Sequence, residues 1–561
     1  MERYHSRLKY YFILLFVASL LTSCGISKSL QDKPDLSAYN IAVPERIVIS
    51  DTVFTAGNNF LTKNEYGLWE LYVEGDPLER GIATGLLTQE LMQQQEAVFL
   101  DKVEEIVPSK GKQAFLRKFL AWFNRKMYLH IPEEYKAEIY GLSQFSSQKY
   151  NHIAPPYLRL LYLHGAHDIG HALQDLALVG CSSFAVWGDK TPDGKLLIGR
   201  NFDFYAGDDF AQEKIVAFVN PSEGYKFMSV TWGGMIGVVS GMNDQGLTVT
   251  MNAGKSKIPL VAKTPISIVT REILQYAATI EEAVEIAKTK EVFVSESIFI
   301  GSAADGRAAL IEMAPSGFGV YEVPNSSQLI CSNHFQSDTF AQDKRNLKQI
   351  EESHSQYRFE RMKELIGEQE VLVPKDAVFI LRNKEGLDDL PIGFGNEKAL
   401  NQLLAHHGIV FKPSELKVWV STHPYQLGEF VAYDLNEVFK NREGRPALTS
   451  VSEKKLTIAE DSFASTKDFR NYEAYRLLER EIEAAIENKN TVSASQLVKL
   501  QNLNPNYWKA YYLAGMYYLQ NNYKAAALKA FEKAITLEIT TVPDREKVEK
   551  ERKKLRRKLK K

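Results

Sequence analysis

The sequence predicts an α+β protein with a separate helical segment at its carboxy-terminal end. Between about residues 66 and 178, apolar residues recur at every third or fourth position, which is typical of helices. From Cys181 onward the period becomes two, in short β-rich runs separated by Gly, Pro and Asp. Helical and β-rich runs that occupy different parts of a chain favour layered α+β packing over a doubly wound fold.

The composition is that of an ordinary globular protein. The chain has 561 residues, of which 45% are hydrophobic and 25% charged. Its formal net charge of −2 provides no general attraction to nucleic acid, and we predict no nucleic-acid partner. The 3 cysteines are too few for a disulfide framework, and the CxxC, HExxH, GxSxG and Walker-type motifs are absent. We therefore predict neither a cofactor nor a metal.

The first 23 residues are predicted to be a lipoprotein signal peptide. A positively charged start precedes an apolar run over residues 11–21, which is too short to span a bilayer. The sequence "LTSC" that follows resembles the bacterial lipobox, in which the cysteine is lipidated, and here that residue is Cys24. This resemblance implies a protein of the cell envelope, anchored by lipid to a bacterial membrane outside the cytoplasm. An uncleaved anchor or a simple secretory signal is the alternative.

The other segments follow in order along the chain. We predict a tether and lead-in (24–65), a helical propeptide or α subunit (66–180), an α+β domain (181–455), helical repeats (468–540) and a basic tail (541–561). In the repeats, the spacing of Trp508, Gly515, Tyr518, Ala527 and Phe531 is similar to that of the tetratricopeptide helix pair, and a plain helical hairpin is the alternative. Stable arrays usually contain about three repeats or more, so we expect this segment to pack on the main domain or on a protein partner.

Cys181 follows a glycine at the start of the β-rich region. A thiol is a good nucleophile only when a base or a positive neighbour provides thiolate. In one arrangement, a distant histidine pairs with Cys181, as in papain-like enzymes. In the other, the chain is cut between Gly180 and Cys181, and the freed α-amine of Cys181 is the base, because an α-amine titrates near neutral pH. Gly180 suits the second arrangement, since glycine adopts the strained backbone geometry that an N→S acyl shift requires.

The stretches "GCSSFAVWG" and "GRNFDF" resemble the amino-terminal-nucleophile hydrolases of the penicillin acyltransferase family (peptidase family C45), which are relatives of choloylglycine hydrolase and acid ceramidase. The resemblance implies a four-layer αββα fold over residues 181–455 and a precursor that is cut before its catalytic cysteine. It implies that Cys181 is the nucleophile and that its own α-amine is the base. Asp203 would then hold that amine by a charge-assisted hydrogen bond, and Arg200 would favour the thiolate.

Three later stretches extend the resemblance, which covers about residues 180–435. "GMNDQGLTVTMNAG" implies that Asn252 is an oxyanion donor, and "CSNHF" implies that Asn333 helps to orient the amine and the substrate. "SQYRFERM" implies a role for Arg358, with Arg361 as the competing alignment. Cys331 stands where the family more often has a different residue, and we interpret it as a buried bystander.

The resemblance implies a cysteine amidohydrolase or acyltransferase. It would act on carbon–nitrogen bonds of a small-molecule N-acyl substrate, through an acyl-enzyme on Cys181. The candidates for an apolar acyl pocket are Trp187, Phe202, Phe204, Tyr205 and Trp232.

Two other hypotheses remain open. One is an inactive lipoprotein scaffold that binds a protein partner through its helical repeats. The other is a metalloenzyme built on His164, His167 and His171, which a helix would place on one face, with Asp168 and Asp175 close by.

Overall fold

A computed structural model describes residues 25–39, 42–165, 168, 180–205, 207–255, 261–440 and 448–560. The predicted signal peptide and lipidation site, Cys24, lie outside these residues, as do His167, His171 and Asp175. Among the residues described, no helix is both long and apolar enough to cross a membrane.

Two β-sheets form the centre of the molecule. The described strands are β1 (Ile47–Ser50), β2 (Val53–Ala56), β3 (Asn59–Lys63), β4 (Trp69–Gly75), β5 (Ser182–Val186), β6 (Leu197–Phe202), β7 (Ile215–Pro221), β8 (Phe227–Thr231), β9 (Ser240–Asn243), β10 (Leu247–Ala253), β11 (Glu296–Ser302), β12 (Arg307–Ala314), β13 (Gly317–Tyr321), β14 (Gln328–Cys331), β15 (His407–Lys412), β16 (Lys417–Ser421) and β17 (Phe430–Asp434). The larger sheet has the order β1-β2-β3-β4-β7-β8-β9-β10-β11-β12-β13, and the smaller sheet has the order β14-β5-β6-β15-β16-β17.

Helices cover the outer faces of both sheets. The described helices are α1 (Gly25–Gln31), α2 (Pro77–Leu87), α3 (Gln89–Ile106), α4 (Lys110–Phe123), α5 (Glu133–Ser143), α6 (Pro156–His164), α7 (Ile266–Tyr276), α8 (Ile280–Lys288), α9 (Lys344–Glu352), α10 (Ser355–Gly367), α11 (Pro374–Leu381), α12 (Leu435–Phe439), α13 (Lys467–Asn488), α14 (Ala494–Leu503), α15 (Trp508–Gln520), α16 (Lys524–Ala534) and α17 (Val542–Leu559). Local sequence sets several of their starts: Asp76 and Glu79 form a capping box at α2, and Thr279 and Glu282 form one at α8.

Three hydrophobic cores separate four layers. The first lies between the sheets, where Phe218 and Leu310 of the larger sheet meet Ile198 and Ile409 of the smaller one. The second packs α2, α5, α6, α7 and α8 on the larger sheet, and the third packs α10 and α11 on the smaller sheet. This confirms the predicted α+β class and its αββα layering.

The amino-terminal segment differs from the sequence-based prediction. Residues 24–65 were expected to be a tether and lead-in, but β1, β2 and β3 lie within them, and β4 lies within the segment expected to be helical. β4 pairs in parallel with β7 over seven residue pairs, from Trp69 opposite Ile215 to Gly75 opposite Pro221. Hydrophobic periodicity missed β1, β2 and β3 because each has only four or five residues. Residues that precede Cys181 are therefore part of the same sheet as residues that follow it.

The carboxy-terminal helices pack as antiparallel pairs against the main domain. A Cβ on Gly515 would lie 2.6 Å from the ring of Phe531, so glycine permits the close approach of α15 and α16. The hydroxyl of Tyr472, on α13, donates to the carbonyl oxygen of Leu403 at 3.3 Å. The predicted basic tail is helix α17, which buries Val548 and Leu555. Membership of the tetratricopeptide class stays a prediction.

Candidate active site

Cys181 lies at one end of two interior strands of the smaller sheet, where β5 begins and β6 ends. These strands are antiparallel, with Ser182 opposite Asn201, and the same register carried past the strand ends brings Gly180 opposite Asp203. The Gly180 backbone N–H accordingly donates to the Asp203 carbonyl oxygen at 3.2 Å. The side chains of Cys181 and Asp203 are both buried. The structure thus brings these two predicted site residues together.

Arg200 holds its guanidinium beside the Cys181 thiol. Its Nη2 atom lies 3.8 Å from Sγ, and the same group donates to the Ser240 hydroxyl and to the Met251 carbonyl. Burial raises the pKa of the Cys181 thiol to about 11, and the positive charge of Arg200 acts in the opposite direction. In the uncut chain the thiol is therefore protonated at neutral pH.

Asp203 carries a buried carboxyl group with no hydrogen bond from any residue that the structure describes. Burial raises its pKa to about 7, although the guanidinium groups of Arg358 and Arg200 oppose this rise. A buried carboxylate that lacks a donor is costly for a folded protein. A positively charged amine beside the Gly180–Cys181 peptide bond would remove that cost.

Arg358 binds the backbone on both sides of that peptide bond. Its Nη1 atom donates to the carbonyl oxygens of Gly180 at 2.7 Å and Cys181 at 2.6 Å, and to the Ser182 hydroxyl at 2.8 Å. Arg361, the competing alignment, instead binds side chains away from this bond. Its partners are Asn383, Glu364 and Asp389. The structure therefore places Arg358, and not Arg361, at Cys181.

The two predicted asparagines surround this arrangement. Asn333 accepts from Arg358 Nη2 at 2.6 Å and donates to the Ala253 carbonyl at 2.9 Å. Asn252 accepts from the Ser183 hydroxyl at 2.8 Å, and its amide lies 3.4 Å from the backbone carbonyls of residues 331 and 332. Asn333 is thus coupled to the site through Arg358, and Asn252 through β5 and the end of β14.

Sequence reasoning missed two contributions to the site. The Gln402 side-chain amide donates to the Gly180 carbonyl oxygen at 3.0 Å across 222 positions of the chain. Ser240, which holds Arg200, is itself hydrogen-bonded to His407 at 2.9 Å. None of these residues belongs to a recognisable motif, and only the tertiary fold brings them to Cys181.

The histidine stripe does not form a metal site within the residues described. The Ile236 backbone N–H donates to Nε2 of His164 at 3.0 Å, so Nδ1 carries the proton and donates to the Leu160 carbonyl at 2.8 Å. Asp168 accepts from the Ile266 backbone N–H at 2.8 Å. No group of three or more potential ligands occurs in the described ranges.

A narrow pocket of about 50 Å³, partly open to solvent, lies at Phe204, the residue that follows Asp203. Its walls include Met92, Phe99, Leu160, Leu163, Phe204, Phe210 and Trp232. The Phe204 ring stacks on Phe202 with centroids 5.8 Å apart, and Phe202 lies under the Arg200 guanidinium at 4.5 Å. Of the aromatic residues proposed for an acyl pocket, Phe204 and Trp232 line it, whereas Trp187 packs against the core between the sheets.

A family of known proteins matches the part of the chain that contains most of these site residues. Residues 190–423 match the family model of acyl-coenzyme A:6-aminopenicillanic acid acyl-transferase. Over these residues the chain is similar to the penicillin acyltransferase family. The match contains Arg200, Asp203, Asn252, Asn333 and Arg358, and it begins nine residues after Cys181. The resemblance seen in the sequence is therefore confirmed over this range.

Two curated proteins are similar to about half of the chain. The chain is 25% identical over 279 residues to an uncharacterized protein of Archaeoglobus fulgidus, covering 45% of each. It is 23% identical over 307 residues to protein dcd1B of Dictyostelium discoideum, covering 51% of this chain and 58% of that one. The chain spans about half the length of the curated relatives it matches.

Two solved structures are similar to part of this penicillin acyltransferase-like chain. One is the Caenorhabditis elegans orthologue of N-acylethanolamine-hydrolyzing acid amidase, with 18% identity, a TM-score of 0.31 and coverage of 42% of this chain and 93% of that one. The other is a conjugated bile acid hydrolase from Clostridium perfringens, with 13% identity, a TM-score of 0.32 and coverage of 49% and 97%.

Proposed function

We propose that this protein is a self-cleaving cysteine amidohydrolase or acyltransferase that acts on the amide bond of N-acyl compounds. The observation that carries the proposal is the Asp203 carboxyl group, buried without a donor beside the Gly180–Cys181 peptide bond. Cleavage of that bond creates a positively charged α-amine at Cys181, which can donate to this carboxylate. The match of residues 190–423 to an acyltransferase family supports the same chemistry.

Self-cleavage begins with the protonated thiol of the uncut chain. Asp203, whose pKa is about 7, takes the thiol proton, and Sγ attacks the Gly180 carbonyl carbon. The C–N bond then breaks, and the proton passes from Asp203 to the departing nitrogen, which leaves a Gly180 thioester on Cys181. Water hydrolyses this thioester, so that the Gly180 carboxyl, the free thiol and the α-amine are all accounted for.

Turnover in the cleaved protein uses the new amine. The amine takes the thiol proton, the thiolate attacks the substrate carbonyl, and the resulting ammonium gives its proton to the leaving amine. The acyl group then stays on Sγ as a thioester until water or a second amine attacks it. Asp203 holds the amine in place, and Arg200, 3.8 Å from Sγ, stabilises the negative sulfur.

The pocket next to Phe204 supports an apolar acyl group as the recognised part of the substrate. Its walls are mostly aromatic and aliphatic, which is typical of sites for apolar ligands. The walls come from both sides of the cleavage point, since Met92 and Leu163 precede it and Trp232 follows it. We therefore propose that residues 25–180 remain bound as a subunit after cleavage.

We also propose that lipidated Cys24 anchors the protein to a bacterial membrane outside the cytoplasm. The lipobox-like "LTSC" supports this location. Incorporation of labelled fatty acid, compared between the full chain and its Cys24→Ala variant, tests it. Label in the Cys24→Ala variant equal to that in the parent would overturn the anchor.

An electrophile with an alkyl chain, such as a long-chain β-lactone, tests the enzymatic proposal. We expect labelling on the peptide that begins with Cys181, and its loss in Cys181→Ala. Cys331→Ala is the matched control, because this second buried thiol is expected to play no part. Labelling at Cys331, or none at Cys181, would favour the inactive scaffold.

A further inference from the structure

We infer that Gln402 is a catalytic residue of self-cleavage, which together with Arg358 binds the oxyanion formed on the Gly180 carbonyl. This inference rests on the self-cleavage proposed above and adds a residue that no sequence motif marks.

The Gly180 carbonyl oxygen already has both donors in the uncut chain. Gln402 Nε2 donates to it at 3.0 Å, and Arg358 Nη1 donates to it at 2.7 Å. These distances are those of good hydrogen bonds, and one donor is charged. Two donors that converge on a carbonyl oxygen form the arrangement that stabilises a tetrahedral intermediate.

The chemistry of cleavage places negative charge on this oxygen. When Cys181 Sγ attacks the Gly180 carbon, the C=O π pair moves to oxygen, and the C–S bond forms. When the intermediate collapses, the pair returns and the C–N bond breaks. Donors that are fixed before the attack need no reorganisation, and buried surroundings strengthen their interaction with the charge. Gln402 is 2% exposed and Arg358 is 0% exposed, so both are shielded from water.

The absence of a side chain at Gly180 leaves room for the Gln402 side-chain amide. A Cβ at residue 180 would lie 2.3 Å from Nε2 and 2.8 Å from Oε1 of Gln402. Any larger residue would therefore push the amide from the carbonyl oxygen. This explains the glycine before the cleavage point independently of backbone strain.

The loop that carries Gln402 is held on both sides. The Asn401 backbone N–H donates to the Asn383 carbonyl at 2.7 Å, and the Leu403 N–H donates to the Asn401 side chain at 3.0 Å. Tyr472, on α13, donates to the Leu403 carbonyl. The carboxy-terminal helices thus help to fix the position of the amide.

The test is the rate of self-cleavage in the full-length chain, followed by intact mass after pulsed expression. Loss of one oxyanion donor typically slows a reaction by about 100-fold or more, and we expect this of Gln402→Ala. Gln402→Glu keeps the volume and replaces the donor by an acceptor, and we expect cleavage at least as slow. Gln426→Ala is the matched control, because Gln426 is equally buried and has no hydrogen bond to Gly180 among the residues described.

A double variant adds a test of the contact itself. Gly180→Ala should slow cleavage in the parent chain, and by a smaller factor when residue 402 is already alanine, because the displaced amide is then absent. The melting temperature of each variant, measured in a Cys181→Ala background, separates slow cleavage from misfolding.

The outcomes distinguish this inference from the proposed function. Suppose that the parent chain is cut and that Gln402→Ala is cut at a rate within about threefold of the parent's, a difference in activation free energy of less than about 1 kcal/mol. That result overturns the role of Gln402 and leaves self-cleavage standing. Equal slowing by Gln426→Ala also overturns that role. A parent chain that is never cut overturns self-cleavage and the role of Gln402 together.

Discussion

The raised pKa of Asp203 lowers the free energy of unfolding of the uncut protein above about pH 4, relative to a protein in which this carboxyl group kept its usual pKa. The pKa of Asp203 is raised from 3.8 to about 7 in the folded chain, so between these values the folded state binds a proton that the unfolded state has released. Stability therefore falls as the pH rises through this range and stays lower above it. In the cleaved protein, the α-ammonium pairs with the carboxylate and removes this loss.

The corresponding prediction concerns Asp203→Asn in a Cys181→Ala background, which cannot be cut. Since asparagine has no charge to bury, we expect the variant to be more stable than its parent at pH 8, by up to about 4 kcal/mol. The difference should shrink towards pH 4. Urea unfolding at both pH values measures it, and an equal difference at both would show a packing effect instead.

Two arginines on α10 provide a matched pair of variants. Arg358→Lys keeps the positive charge but loses the planar group that reaches three acceptors around Gly180, so we expect self-cleavage to slow by about 100-fold. Arg361→Lys, at a buried site on the same helix, should leave the rate within about threefold of the parent. Mass spectrometry of the time course measures both rates. Equal effects of the two changes would contradict the assignment of Arg358.

At the scale of single residues, the sequence identifies candidate site residues where a chemically suitable residue type falls within a motif. "GRNFDF" contains Arg200 and Asp203, and the pairing of β6 with β5 brings this stretch beside Cys181. Gln402 left no such signal. Its role depends on a loop that only the packed molecule brings to Gly180.

At the scale of secondary-structure elements, α3 and α6 form part of the pocket wall. Both helices come before the cleavage point in the sequence. Leu163, on α6, lines the pocket, so Leu163→Trp should fill part of its volume. We expect kcat/KM for long-chain N-acyl amines to fall by about tenfold, with that for N-acetyl compounds changed by less than about threefold. The ratio of the two substrates is the internal control. An equal fall for both would place the acyl group elsewhere.

Sequence predicted the change from helical to β-rich structure at Cys181, since the period of apolar residues changes there from three or four to two. It missed β1 to β4. β1, β2 and β3 have only four or five residues each and carry little periodic signal, and β4 is buried on both faces, so its residues do not alternate. The order of strands in the larger sheet depends on the parallel pairing of β4 with β7. That pairing joins distant parts of the chain, and no local pattern encodes it.

For the whole molecule, this pairing predicts that cleavage does not separate the two parts. Backbone hydrogen bonds along seven residue pairs and a shared hydrophobic core connect residues 25–180 to the rest. Size-exclusion chromatography of the cleaved protein should therefore show both fragments in one peak of full mass. Elution of residues 181–561 alone would contradict this.

The most direct test of the account is the covalent state of the purified chain. We predict two fragments that meet at Gly180 and Cys181, with a free amino terminus on Cys181, and a single uncut chain in the Cys181→Ala variant. Intact mass and amino-terminal sequencing give the answer in one preparation. A single full-length chain for the parent, under conditions where the protein is folded, would contradict the central claim.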